Sequence, residues 1–191
     1  MDFEQLFYMG NAGLWGALHV NPLTDIKDQY ALIRREYIPT EPIIYEYHSG
    51  GEPRDLIGTT LPPLKLLSNR VFDLFQENQF TGWATYPIDL YSKKNERITG
   101  YQGFSVPGRC GKIDESLSKR EWRGPAVPGG ARYKVWVGVY FDLNTWDGSD
   151  IFVPASSGLV IVTERVKTAI EKAKLKNISF ERLTEIEQLM F

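Results

Sequence analysis

Two segments of the chain repeat one hydrophobic pattern at a separation of 95 residues. Residues 66–75 read LLSNRVFDLF, and residues 161–170 read IVTERVKTAI. In each segment an apolar strand end precedes a hydroxyl residue, Ser68 or Thr163, and apolar residues then recur at helical spacing. A hydroxyl at this place is typical of a helix N-cap, which accepts a hydrogen bond from a first-turn amide. The pattern predicts two equivalent capped helices, with a chance similarity between two ordinary helices as the alternative.

The correspondence continues beyond both helices. At the same separation Arg70 matches Arg165, and Gly82 matches Asn177, a pair that can adopt the left-handed conformation that stops a helix. A strand is expected after each helix, over residues 83–91 in the first copy and over residues 178–183 in the second. These features predict an internal helix–strand repeat, which need not reflect a duplicated function.

Other segments complete the predicted fold. Residues 133–141, YKVWVGVYF, form a long apolar run whose alternate side chains can line one face while Trp136 lies on the other, so we expect a central strand here. Residues 25–35 have the spacing of a short helix, and residues 43–47 are typical of a strand. Together these elements predict an α+β fold with a mixed or antiparallel sheet and two or more short helices.

The composition is that of an ordinary folded domain. Of the 191 residues, 42% are apolar and 24% are charged, and the formal net charge is −2. This apolar content excludes a chain that is disordered as a whole, and the near-neutral charge argues against a nucleic-acid binder. The first 60 residues hold nine acidic and four basic side chains. We expect residues 1–60 to be an acidic segment packed on a main α+β domain at residues 61–191.

Cysteine use and hydropathy indicate the environment. Cys110 is the single cysteine, so no internal disulfide can form and nothing requires an oxidising compartment. The first ten residues carry two acidic side chains and no basic one, which argues against a secretory signal. No stretch approaches the roughly 18 apolar residues of a membrane span. We therefore expect a cytoplasmic protein that does not enter a membrane.

Recognised motifs for catalysis or metal binding are absent from the sequence. The two histidines, His19 and His48, do not stand at metal-ligand spacing, and no serine-hydrolase elbow, dinucleotide fingerprint or phosphate loop is present. Cys110 with either histidine would be a nucleophile–base pair only if the fold brought them together. Residues 142–150 have the composition of a calcium loop, but their register fits a turn. No cofactor and no metal are expected.

A Pro- and Gly-rich stretch at residues 107–132 is long, irregular and basic. Long loops in compact domains are often functional. Aromatic and arginine side chains together are favoured at interface hot spots, and residues 119–123, KREWR, are such a group. The alternative is that Trp122 covers an edge of the core. The candidate partner-binding residues are Arg109, Lys112, Lys119, Arg120, Trp122 and Arg123.

Three motifs in the C-terminal part resemble a known family. They are TWDGSDIF at residues 145–152, IVTERVK at residues 161–167 and KNISFERL at residues 176–183. Their order resembles immunity-protein family 11 of bacterial polymorphic toxin systems over roughly residues 60–185, whereas residues 1–60 match no family pattern. The resemblance implies a cytoplasmic protein that binds and neutralises a cognate toxin. It implies no catalytic residue, because the motifs are a turn, a cap and a helix stop.

Two function classes follow. In the first, the protein is an immunity protein that occludes a toxin without catalysis and binds no nucleic acid. In the second, it is an enzyme or small-ligand binder with an aromatic-lined pocket near Asp147 and Asp150. Convergence of Asp147, Asp150 and Cys110 in one concave pocket would favour the second class, and a flat exposed patch would favour the first.

Overall fold

A computed structural model describes residues 2–125, 127–155 and 157–189. Within these residues the helices are α1 (Gln29–Ile33), α2 (Asn69–Glu77) and α3 (Glu164–Lys172). The strands there are β1 (Leu6–Asn11), β2 (His19–Pro22), β3 (Ile43–Ser49), β4 (Leu56–Thr59), β5 (Lys65–Ser68), β6 (Ala84–Tyr86), β7 (Ile88–Tyr91), β8 (Arg97–Ile98), β9 (Tyr101–Ser105), β10 (Arg109–Cys110), β11 (Lys119–Arg123), β12 (Tyr133–Val137), β13 (Ile151–Pro154), β14 (Ile161–Thr163), β15 (Ile178–Arg182) and β16 (Glu187–Leu189).

The strands form three sheets. The largest has the order β6-β9-β5-β4-β2-β3-β7-β8, the second β15-β1-β14-β13-β10 and the smallest β11-β12-β16. Both larger sheets are mixed, since β2 is parallel to β4, β3 is parallel to β7 and β10 is parallel to β13, whereas their other pairs are antiparallel. The predicted combination of mixed sheet and short helices is therefore present, in a form that contains more strand than helix.

Helices α2 and α3 lie where the repeated pattern predicts them, and each has nine residues. Ser68 and Thr163 occupy the N-cap positions, as expected, but neither side chain caps its helix. The Ser68 hydroxyl donates to Asp55 at 2.8 Å, and the Thr163 hydroxyl lies 3.5 Å from Asp150. The predicted side-chain caps are therefore wrong, because a buried carboxylate needs donors and draws each hydroxyl away from the first turn.

The two helices also end alike. Gln79 and Lys174 both have a left-handed φ of 54°, and in each case the next amide bonds the carbonyl five residues back. This is the Schellman ending of a helix. Gly82 and Asn177, the expected stops, have positive φ values of 86° and 66° but lie three residues further on, before the next strand. The helices thus end earlier than predicted, at residues that are not recognisable helix breakers.

Three shorter elements differ in length from expectation. Helix α1 begins after Asp28, whose carboxylate accepts hydrogen bonds from two first-turn amides, and is shorter than residues 25–35. Strand β3 extends two residues beyond the expected strand. The strand expected over residues 83–91 is divided at Pro87, whose nitrogen has no proton to donate to a ladder.

The apolar run at residues 133–141 is not the centre of a large sheet. Its first five residues form β12, the middle strand of the smallest sheet. The chain leaves the strand at Gly138, where φ is 90°, and Val139 and Phe141 then enter the second of two core clusters. The second half of the run is apolar because it is buried in this core, so the predicted central strand is only half right.

The internal repeat extends across both larger sheets. The strands β6-β9-β5-β4-β2 and the strands β15-β1-β14-β13-β10 have the same order and the same relative directions. The registers of the antiparallel pairs agree as well, because Leu66 pairs with Gly103 and, 95 residues away in each strand, Ile161 pairs with Tyr8. The parallel pairs β2–β4 and β10–β13 have the same direction but a different register. The repeated sequence pattern is therefore a structural repeat.

One strand of each half lies in the sheet of the other half. Strand β1 pairs with β14 and β15, whereas its counterpart β9 pairs with β5 and β6. The same exchange of equivalent elements joins the subunits of domain-swapped dimers. The expected junction between residues 1–60 and 61–191 falls between β4 and β5, which are hydrogen-bonded neighbours. The main core cluster accordingly contains residues from both halves.

Candidate partner-binding surface

Asp150, considered above as part of a catalytic pocket, is a buried structural carboxylate. It accepts hydrogen bonds from the amide and the hydroxyl of Thr81 at 3.0 and 3.1 Å and from Arg165 at 3.0 Å. Asp55, 95 residues earlier, accepts in the same way from the amide of Lys176 at 2.7 Å and from the matching arginine. Each carboxylate thus binds the loop that follows the helix of the other half. This reciprocal contact accounts for Asp150 without a catalytic role.

Asp147 and Cys110 are likewise engaged within the fold. Asp147 accepts hydrogen bonds from the amides of Arg109 and Ser149 at 2.8 and 3.0 Å. Burial, together with the charge of Asp147, raises the pKa of Cys110 to about 12, so the thiol is not a nucleophile at neutral pH. The cavity beside Asp147 is lined by neither Asp150 nor Cys110. The three groups therefore do not form the convergent pocket that the enzyme alternative requires.

The two histidines do approach each other. The ring centroids of His19 and His48 are 5.6 Å apart, and burial together with His48 lowers the pKa of His19. Over residues 2–125, 127–155 and 157–189, no group of three His, Cys, Asp or Glu side chains could hold a metal ion. The pair is therefore a contact between neighbouring strands β2 and β3.

The six candidate partner-binding residues lie in different environments. The guanidinium of Arg109 donates to three backbone carbonyls, and burial lowers its pKa. Lys112 is exposed and precedes the small sheet. The other four candidates are residues of β11. Because successive side chains of a strand point to opposite faces, these four are divided between the two faces of the sheet.

One face of the three-stranded sheet is basic and aromatic. Arg120 lies opposite Trp136, and Trp122 lies opposite Lys134, in the register of β11 and β12. Directly opposite residues share a face of an antiparallel pair, and Arg132, just before β12, reaches the same face. We call Arg120, Trp122, Arg132, Lys134 and Trp136 the basic–aromatic face. Three of its five side chains are cations and none is acidic.

Cation–π contacts hold this face together. The guanidinium carbon of Arg120 is 4.4 Å from the Trp136 ring centroid, and the ammonium of Lys134 is 5.0 Å from that of Trp122. Each such contact contributes about 0.5–1 kcal/mol at an exposed site. Trp122 remains 54% exposed, so much of its indole is available to a partner. An exposed indole held among cations has the chemistry of an interface hot spot.

The opposite face of the sheet attaches it to the rest of the protein. Val135 is buried there, and Arg123 donates to Glu187 and to Glu121, each at 2.7 Å. These hydrogen bonds raise the pKa of Arg123 and lower that of Glu187. Arg123 is therefore engaged in joining β11 to β16, on the side away from the basic–aromatic face.

Three members of the face were not among the sequence candidates. Lys134 and Trp136 belong to β12, and Arg132 lies at the end of the basic stretch. The alternation along β12 did place Trp136 on the side away from the valines. What the sequence did not contain was the register of β11 against β12, which brings the two sets of side chains together.

Two other tryptophans, Trp15 and Trp146, lie outside the strands. Trp15 is 97% exposed in a turn between Gly13 and Gly16, both of which have positive φ. Trp146 is partly buried against Phe152, and its indole donates to a backbone carbonyl at 3.1 Å. Trp15 is therefore a second exposed indole, in a different part of the fold from Trp122.

Comparison with known proteins now assigns the family. The sequence matches the model of an immunity protein family, Imm11, over residues 22–185. The chain belongs to this family. The match confirms the resemblance of the C-terminal motifs and extends into the first 60 residues, whose motifs alone resemble no family. A search of the curated proteins finds no match to this Imm11 protein. No helix in the described part of the chain has the length and apolar character that crossing a membrane requires.

Proposed function

We propose that this Imm11 protein neutralises a cognate toxin by binding it and blocking the toxin's active site or substrate path. Family membership supports a toxin as the partner. Asp147 and Asp150 accept hydrogen bonds from the fold, and the pKa of Cys110 is raised. Both observations support a mechanism in which the immunity protein itself performs no chemistry. Occlusion requires only affinity and a suitable position on the toxin.

The basic–aromatic face is the proposed contact surface, and the exposed indole of Trp122 among cations is the observation that carries the proposal. Specific interfaces bury about 1,600 Å² in total and obtain most of their affinity from a few central anchors. Tryptophan and arginine are enriched among such anchors, and Trp122 and Arg120 lie side by side on this face. The flanking residues would then exclude water from the contact.

The charge of the face indicates the chemistry of the partner. Arg120, Arg132 and Lys134 present three positive charges, and the face has no acidic member. A complementary toxin surface is therefore acidic. Complementary charges at the rim of an interface mainly raise the association rate, and salt screens them. We expect association with the toxin to slow as the ionic strength rises.

Replacement of Trp122 by alanine tests the proposal. The toxin is sought as the product of a large open reading frame immediately upstream. Trp122→Ala should weaken toxin binding by about 2 kcal/mol or more, as loss of a hot spot does, which is roughly a 30-fold rise in Kd. The thermal midpoint should change little, because the indole is more than half exposed. Calorimetric titration and thermal unfolding measure the two quantities.

Trp15→Ala is the matched control, since it removes the same side chain from a more exposed position, in a turn elsewhere in the fold. It should leave toxin binding unchanged. A folded Trp122→Ala protein that binds the toxin with unaltered affinity would contradict the proposed surface. A different result would be that the wild-type protein binds a single-stranded oligonucleotide, and that Trp122→Ala no longer binds it but binds the toxin normally. The face would then be a nucleic-acid site. Substrate turnover through Cys110 would contradict occlusion as the mechanism.

A further inference from the structure

Lys65 is buried without a counter-charge among the described residues. Its exposed fraction is 3%, and its ammonium makes one long hydrogen bond there, of 3.5 Å, to the carbonyl of Pro63. An ammonium has three protons to donate, so this contact leaves most of its capacity unused. Burial alone lowers the pKa of Lys65 to about 8, with no contribution from a neighbouring charge. Such a group is costly to bury unless something else pairs with it.

The fold itself does not require a lysine at this position. The 95-residue repeat places Val160 at the equivalent point of the other half, and Val160 is completely buried. An apolar side chain therefore suits the same environment. A cation at a place where the matching half has valine is a candidate for binding rather than for folding.

A cavity of about 490 Å³ lies beside Lys65, within the size range of small-molecule sites. Tyr8, Gln29 and Leu159 are among its lining residues. Burial and the charge of Glu181 raise the pKa of Tyr8, so its phenol keeps the proton that it can donate.

We propose that this cavity binds a carboxylate carried on a small apolar body, with Lys65 as the counter-ion. A single buried cation balances a single negative charge. The phenol of Tyr8 is a further hydrogen-bond donor in the lining, while Ile113 and Leu159 offer apolar contact. A phosphate dianion would bring two charges to one cation and a polar body to these walls, and it fits less well.

The carboxylate has two available sources. It is either a free organic acid or the acidic side chain of a bound protein. The site rests on Lys65 and its cavity alone, so it does not depend on whether the basic–aromatic face binds a toxin. The two proposals can therefore fail separately.

Benzoate is the probe, and benzamide, its neutral isostere, is the control ligand. Benzoate should bind the folded protein saturably in calorimetric titration. Lys65→Met should weaken this binding about 10-fold or more, and benzamide should be weaker by a similar factor, since a charge-assisted hydrogen bond is lost in each case. Lys94→Met removes an exposed lysine and should have no effect. Inorganic phosphate at equal ionic strength should not displace benzoate.

The proposal is overturned if benzoate does not saturate the protein, if benzamide binds equally well, or if Lys65→Met retains full affinity. Displacement of benzoate by phosphate would overturn the carboxylate class. The comparison of benzoate with benzamide uses the unaltered protein. It therefore tests the role of the ligand's charge even if the variant fails to fold. If excess benzoate weakens toxin binding, the natural carboxylate is a side chain of the toxin, and if it does not, a free organic acid is the ligand.

Discussion

Replacement of Lys65 by methionine should stabilise the folded protein at neutral pH. Burial lowers the pKa of Lys65 from 10.5 to about 8, whereas the unfolded chain keeps the ordinary value. The folded state therefore holds this proton less tightly than the unfolded state does. Burial of the charged ammonium lowers the free energy of unfolding. Methionine has a similar length and no charge, so Lys65→Met removes this cost while filling the same space.

The two pKa values set the size of the effect. A pKa difference of about 2.5 corresponds to about 3 kcal/mol. The cost is fully present below about pH 8, where both states are protonated, and it disappears toward pH 10.5, where both have lost the proton. Between these values the unfolded chain binds more protons than the folded one, so the stability of the wild-type protein rises with pH. The advantage of Lys65→Met should shrink over the same interval.

Urea unfolding from about pH 7 to about pH 10 measures this difference for the two proteins. Tyr8, Tyr45 and Cys110, whose pKa values are raised, also titrate at the alkaline end, but they are common to both proteins and cancel. Lys94→Met, which removes an exposed lysine, is the matched control for the loss of one positive charge. The reasoning is refuted if Lys65→Met is less stable than the wild type at neutral pH, because the ammonium would then have a compensating partner.

The remaining predictions concern the reciprocal carboxylates and the cysteine. Asp55→Ala and Asp150→Ala should each cost about 2–3 kcal/mol in urea unfolding, because each leaves buried donors without an acceptor. Arg70→Ala should cost less than about 1 kcal/mol, since this side chain is 65% exposed and its ion pair is screened, and a cost equal to that of Asp55→Ala would contradict the assignment. Cys110 should react with a thiol reagent far more slowly in the folded protein than in urea, and rapid labelling of the folded protein would show that the thiol is accessible.

The positions of α2 and α3 could be predicted from sequence because amphipathic spacing is a local property. The exchange of β1 and β9 could not, because strand pairing joins residues that are distant in the chain. The same holds for the hydroxyls of Ser68 and Thr163. Their N-cap positions were predictable from the local pattern, but their hydrogen-bond partners, Asp55 and Asp150, were not. Asp55 and Asp150 stand at the same 95-residue separation, a signal that the sequence contained and that would have indicated their common role.

The candidate surface was predictable to a similar extent. Residues 119–123 were identified as a basic and aromatic group, and β11 occupies this range. The pairing with β12 decided which members share a face, and it placed Arg123 on the side away from Trp122. One feature of the sequence indicated the cavity beside Lys65. A lysine stands within an apolar strand, at a position where the other half of the repeat has a valine. Its burial without a described counter-charge depends on packing and could not be read from the chain.

The position of the basic–aromatic face follows from where the two halves differ. Between β10 and β13 the second half inserts β11 and β12, whereas the first half inserts α1 and β3 between β2 and β4. Elements common to both halves must satisfy each other's reciprocal contacts, as Asp55 and Asp150 do, so a change in one half disturbs the other. An insertion has only to satisfy its own attachment, such as that of Arg123 to Glu187, and its outer face is free to match a partner. A surface specific for one toxin is therefore expected on an insertion, which is where Trp122 lies.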